Sequence, residues 1–113
     1  MNLSTDRSQG VVIIRVGEAK LMYPMLSDFS ESVSNLVAEG EAKVVIDMSQ
    51  VSYVDSASIG CLMDLYRQTT QAGGSLKLGG VQERVRTMLT MTGAQNFIEL
   101  HADEATAVSS FGK

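Results

Sequence analysis

Apolar positions along this chain recur in two rhythms, and the change from one to the other marks out its elements. Val11-Val12-Ile13-Ile14-Arg15-Val16 is a dense β-branched run, the kind that fits a pleated, buried surface, and it predicts a strand. Ahead of it Leu3–Arg7 alternates weakly, and Ser8-Gln9-Gly10 carries turn chemistry. That link is too short for a crossover helix, so the two segments form an opening hairpin. Pro24 suits the first turn of a helix, where its missing N–H loses nothing. After it Leu26, Phe29, Val33, Leu36 and Val37 fall on one helical stripe, with Asp28, Glu31, Ser32 and Asn35 left to solvent. Gly40 is placed to end this helix.

Lys43-Val44-Val45-Ile46-Asp47-Met48 reads as a strand buried on both faces, hence central and parallel to a neighbour. Val51–Val54 is a short extended link. Asp55-Ser56 then offers cap residues to a helix carrying Ile59, Leu62, Met63 and Tyr66 on one side and stopped by Gly73-Gly74. Ser75–Leu78 is a further strand, and Gly79-Gly80 turns the chain. Val81, Val85, Met88, Leu89 and Thr92 mark a third helix with Gly93 behind it. Phe97–Leu100 is a last short strand, after which Asp103 can cap a final helix through Phe111. The order β-β-α-β-α-β-α-β-α predicts an α/β fold, one sheet with right-handed crossovers and about four helices.

Length agrees with that economy. At 113 residues the chain is read as one domain, 1–113, large enough for a core without metal or disulfide and too small for a (β/α)₈ barrel. The seven methionines fall mostly at apolar positions and are read as gap-fillers. Nine Lys and Arg against thirteen Asp and Glu give a net charge of −4, which speaks against nucleic acid as a partner. The charge is uneven: residues 1–56 hold four basic and eight acidic groups, whereas 57–113 hold five of each. A partner docking near Asp55-Ser56 is therefore expected to present a basic surface. The start of the chain has no apolar signal core and no stretch reaches the ~20 apolar residues of a bilayer span, so the cytoplasm is the expected location, with no direct membrane insertion.

Catalytic signatures are missing. Cys61 and His101 are each the only residue of their kind, so no Cys/His metal cluster can form; Cys61 sits in an apolar run as a small packing residue. His101 has no evident nucleophile beside it. No GxxxxGK[ST] loop is present, and Gly73-Gly74 and Gly79-Gly80 lack dinucleotide-binding spacing, so no cofactor is expected. The remaining place for chemistry is the segment Asp47–Gly60, which follows the most buried strand, where ligands and partners of α/β sheets gather. Ser56 would lie at a helix N-terminus, where free N–H groups and the helix dipole favour an anion, so the site suits a serine that becomes phosphorylated. The same two residues also serve as an ordinary helix cap, and on physical grounds alone that is the favoured reading, because such caps are common.

The run Lys43–Gly60, with Asp47-Met48-Ser49, Val54-Asp55-Ser56 and Ile59-Gly60, resembles the signature of STAS domains, in particular bacterial anti-sigma factor antagonists. The likeness extends back to Gly17-Glu18 and on through Gly73-Gly74, Leu76–Leu78 and Met91-Thr92-Gly93. The resemblance implies a mixed sheet packed with helices and a role as anti-anti-sigma factor in partner switching. In that family the unmodified antagonist captures an anti-sigma factor that is itself a serine kinase, freeing the sigma factor. Phosphorylation of the serine after the signature aspartate ends the capture, and a serine phosphatase restores it. Carried over by position, the acceptor is Ser56, and Asp55, Ser56, Ala57, Ser58 and Ile59 would form the partner-binding stretch. The family commonly continues with Ser or Thr and then Gly, whereas Ala57-Ser58 stands here, making Ser58 a secondary acceptor. Ala19-Lys20 stands where the family often has Leu-Asp, replacing a carboxylate by an ammonium. Two other readings stay open: a STAS scaffold subunit of a lipid or anion transporter, and a small nucleotide-binding protein.

Overall fold

The computed structural model describes residues 1–112. The chain opens as the expected hairpin, β1 (Leu3–Ser8) antiparallel to β2 (Val11–Val16). Its two-residue turn places Gln9 at φ 55° and Gly10 at φ 79°, the positive-φ pair that matches the twist of adjoining strands. A two-residue strand β3 (Lys20–Leu21) and a 3₁₀ turn (Tyr23–Met25) lead into α1 (Leu26–Ala38). Then follow β4 (Lys43–Asp47), β5 (Tyr53–Val54), α2 (Ser56–Gln71), β6 (Ser75–Gly79), α3 (Glu83–Thr92), β7 (Leu100–His101) and α4 (Glu104–Ser109). The main sheet has the order β1-β2-β4-β6-β7, parallel except for the β1–β2 pair, while β3 and β5 pair separately in parallel.

Strand alternation distributes the apolar runs to two cores. Val12, Ile14 and Val16 of β2, Val44 and Ile46 of β4, and Leu76 and Leu78 of β6 face the larger one, against Phe29 and Val33 of α1, Leu62 of α2 and Val85 of α3. The intervening Val11, Ile13 and Val45 meet Ala107 and Val108 of α4 on the opposite face. This two-sided burial is why β2 and β4 read as continuous apolar runs. Lys77 of β6 points into the smaller face, where its Nζ donates to Ser110 Oγ at 2.7 Å, lies 3.3 Å from Glu99 Oε1 and stands 4.3 Å from the Phe111 ring centre. One hydroxyl, one carboxylate and one aromatic face thus compensate the buried ammonium.

Four details differ from the reading of the sequence. The link Val51–Val54 contains a strand, β5, whose partner β3 is equally short; two residues are too few to leave a periodic signal. The last strand is Leu100–His101, displaced from Phe97–Leu100, because a 3₁₀ turn over Ala94–Asn96 takes up the preceding chain. Phe97 is consequently 60% exposed, and Met91 is 81% exposed, so Met91 is not a gap-filler. The buried face of α2 centres on Ser58, Ile59, Leu62, Leu65 and Thr69, with Met63 and Tyr66 only half-buried at its margin. At the far end of α2, Gly73 adopts φ 87°, and a Cβ on Gly74 would come within 2.1 Å of the Ala42 carbonyl oxygen, so both glycines are required where the helix hands over to β6.

Candidate functional site

Asp55 is the N-cap of α2, with extended backbone at φ −102°, ψ 176°. Its Oδ1 accepts from the Ser58 amide at 2.8 Å, and its Oδ2 accepts from the Tyr23 amide at 3.0 Å. One carboxylate therefore caps the helix and fastens the segment that leaves β3. The Ser58 hydroxyl lies against both Asp55 Oδ1 and the Leu21 carbonyl oxygen. With one proton to give, it serves one of these acceptors at a time.

These contacts hold the Asp55 carboxyl below the usual carboxylate range: the Ser58 hydroxyl contributes most, partial burial opposes it, and the Tyr23 and Ser58 amides add to it. Because the folded value is the lower one, Asp55 stabilises the fold above the ordinary carboxylate pKa and loses that contribution as pH falls through its depressed value. A carbon-detected NMR titration should place its midpoint below the ordinary aspartate value. A midpoint at or above that value would mean that the cap is not formed. Asp55→Ala should lower stability at neutral pH by about 0.5–2 kcal/mol, as loss of an N-cap does.

Ser56 is the first residue of α2 and is exposed, and its hydroxyl has no hydrogen-bond partner among the described residues. Ala57 is exposed as well. Ser58 and Ile59, expected at the partner surface, are instead buried, with exposures of 0% and 5%. Helical phase is the reason: at about 100° per residue, the third and fourth positions of α2 turn toward the sheet while the first stays outside. Ser58 is spent on holding Asp55 and the β3 exit. Its side chain is fully buried.

The surface that accompanies Ser56 runs along the helix rather than along the sequence. Ser56, Gly60, Met63 and Arg67 share one wall of a groove of about 460 Å³, with Ala94 and exposed Phe97 opposite. A Cβ on Gly60 would meet nothing within 4 Å, so the fold does not demand glycine there, and its absence of side chain keeps the groove open one turn from Ser56. The spacing of four, seven and eleven residues from Ser56 was the available signal for this wall.

The remaining chemistry-bearing residues have structural duties. Burial first, and Asp64 second, push the half-buried Cys61 thiol up, away from the reactive thiolate. His101 Nε2 lies 3.1 Å from Glu99 Oε1, with no nucleophile in that pairing. Asp47 accepts from the Ser49 amide at 2.9 Å, and Arg15 holds Glu104 through two contacts of 2.8 and 2.7 Å, tying α4 to β2. Among the described residues no group of three or more His, Cys, Asp or Glu could hold a metal, and no helix is long and apolar enough to cross a membrane.

A family model for the STAS domain matches residues 2–107. The chain belongs to the STAS domain family. Curated relatives of this STAS domain include an anti-sigma-B factor antagonist of Bacillus subtilis (strain 168), 33% identical over 66 residues, a match spanning 58% of this chain and 61% of that protein. An anti-sigma-B factor antagonist of Staphylococcus epidermidis is 25% identical over 108 residues, 96% of this chain and 97% of its own. Among solved structures, an anti-sigma factor antagonist from Mycobacterium paratuberculosis superposes with a TM-score of 0.89 at 17% identity, covering 99% of this chain and 94% of the other. The antagonist SpoIIAA in its unphosphorylated form superposes at 0.81 with 17% identity, covering 97% and 96%. The mixed five-stranded sheet with four helices is the fold these structures share.

Proposed function

We propose that this STAS domain is an anti-sigma factor antagonist that works without catalysis of its own, as a binding module switched by phosphorylation of Ser56. Unmodified, it captures an anti-sigma factor of the serine-kinase type in the cytoplasm and so releases a sigma factor. Transfer of phosphate to Ser56 ends the capture, and a serine phosphatase returns the module to its binding state. The observation that carries this reading is the contrast between two neighbouring hydroxyls. Ser56 is exposed and unbonded at the mouth of α2, beside a capping aspartate that is already fixed by Tyr23 and Ser58, while Ser58 is buried. The helix N-terminus accommodates an added anion, so the acceptor can be modified without dismantling the cap.

A pull-down from extract of the source cell, with wild-type and Ser56→Asp baits and mass spectrometry as readout, tests the reading. A kinase-type anti-sigma factor should be enriched on wild-type bait and lost from the Ser56→Asp bait. Recovery of a transporter component on both baits equally would replace the switch by a scaffold.

A further inference from the structure

The end of the molecule that presents Ser56 also carries a cleft of about 380 Å³ formed by three separate segments. Lys20 and Met22 come from β3 and its exit, Ser52 and Tyr53 from the β5 segment, and Arg84 from the first turn of α3. Lys20 and Tyr53 are register partners in the β3–β5 pair. Ser56 is three residues beyond Tyr53, hence within about 10 Å of chain at strand-like rise. Between them Asp55 accepts from the Tyr23 amide, so the cleft and the serine are fastened to one another.

The charges in this cleft are unbalanced. Arg7, Arg15, Arg67 and Lys77 each pair with a carboxylate. Lys20, Lys43, Arg84 and Arg86 form no ion pair among the described residues, and of these only Lys20 and Arg84 line one cleft together. Both are exposed, and no carboxylate lines the cleft with them. Glu18, the acidic residue nearest to Lys20 in sequence, is taken by the Asn2 amide at 2.7 Å. In a chain with thirteen Asp and Glu and a net charge of −4, this cleft is lined by two cations that no carboxylate pairs among the described residues.

A stable protein interface covers about 800 Å² on each partner, a disc of about 16 Å radius. A partner seated on Ser56 therefore reaches Lys20 and Arg84. Covering two cations with nothing to receive them is strongly unfavourable, so the partner that fits brings carboxylates to this point. Arg84 offers a planar fork for a bidentate pair, and the Tyr53 and Met22 side chains supply apolar walls that strengthen it.

We infer that the Lys20–Arg84 cleft is a docking surface for an acidic patch on the protein that binds over Ser56, and that it selects that protein among related ones. The inference rests on the phospho-switch reading for the identity of the partner. It also amends the expectation from net charge that a partner docking near Asp55-Ser56 presents a basic surface: at the Lys20–Arg84 cleft the complementary face is acidic.

The test titrates, by calorimetry, the purified protein that wild-type bait enriches against wild type, Ser56→Asp, Lys20→Glu, Arg84→Glu and the double reversal. Each reversal should weaken binding about tenfold and the double about a hundredfold, and the double should have a shallower salt dependence than wild type. All variants should keep the wild-type thermal midpoint, since both side chains are exposed. A double reversal that binds as wild type does, while Ser56→Asp still loses affinity, overturns the cleft and leaves the switch standing. Loss on reversal with Ser56→Asp unaffected overturns the switch and leaves the cleft. If inorganic phosphate alone raises the midpoint of wild type but not of the double reversal, the cleft is a small-anion site and the inference falls.

Discussion

Ser56→Asp should lose about tenfold or more in affinity for the anti-sigma partner while its thermal midpoint barely moves. Phosphoserine adds about −1.5 to −2 charge near neutral pH, and aspartate supplies part of it. At Ser56 that charge stands next to ionised Asp55, in the half of the chain that holds all the net negative charge. The N-terminus of α2 offsets some of the repulsion, by about 0.3–1 kcal/mol at an exposed position. Asp55 keeps its bonds to the Tyr23 and Ser58 amides, since neither involves the Ser56 hydroxyl, so the cap and fold survive. Binding bears the change instead, because an interface shaped around a neutral hydroxyl would have to strip water from an unpaired anion. A penalty of several kcal/mol per charge is the expected scale, and each ~1.4 kcal/mol is tenfold in affinity. Calorimetry giving equal affinities, or circular dichroism showing an unfolded mutant, would refute this mechanism.

The largest effects on stability should come from the main core. Ile46, in β4, and Leu62, on the inner face of α2, are both 0% exposed and belong to the same cluster. Truncating either to alanine removes buried apolar volume and leaves a cavity that the surrounding strands and helices cannot fully close. Ile46→Ala and Leu62→Ala should each destabilise by about 2–5 kcal/mol in urea unfolding. A variant within about 0.5 kcal/mol of wild type would place that side chain outside the core.

What the sequence disclosed followed the strength of its periodic signals. The hairpin, the central parallel strand and the capping roles of Asp55 and Asp103 were all legible, because β-branched runs and cap residues act locally. The β3–β5 pair was not, since each strand has two residues and only their pairing makes them strands. Phe97 was drawn into a strand by its apolar neighbours, and the 3₁₀ turn ahead of it sets it outside instead. At the site, Ser56 was legible as the first residue of a capped helix. The expected stretch Asp55–Ile59 is divided by helical phase: at about 100° per residue Ser56 and Ala57 stay exposed, while Ser58 and Ile59 turn into the core. The Lys20–Arg84 cleft was beyond reach for a different reason: its two cations are far apart in sequence and are brought together only by the packing of α3 over β5.

The central claim, that this STAS domain is switched at Ser56, is tested most directly by locating the phosphate. The purified domain is incubated with its cognate kinase and ATP, digested and read by tandem mass spectrometry. A single phosphate on Ser56, absent from Ser56→Ala, is the predicted result. Phosphate on Ser58 or Thr69, whose hydroxyls are buried and hydrogen-bonded here, or undiminished labelling of Ser56→Ala, would contradict it.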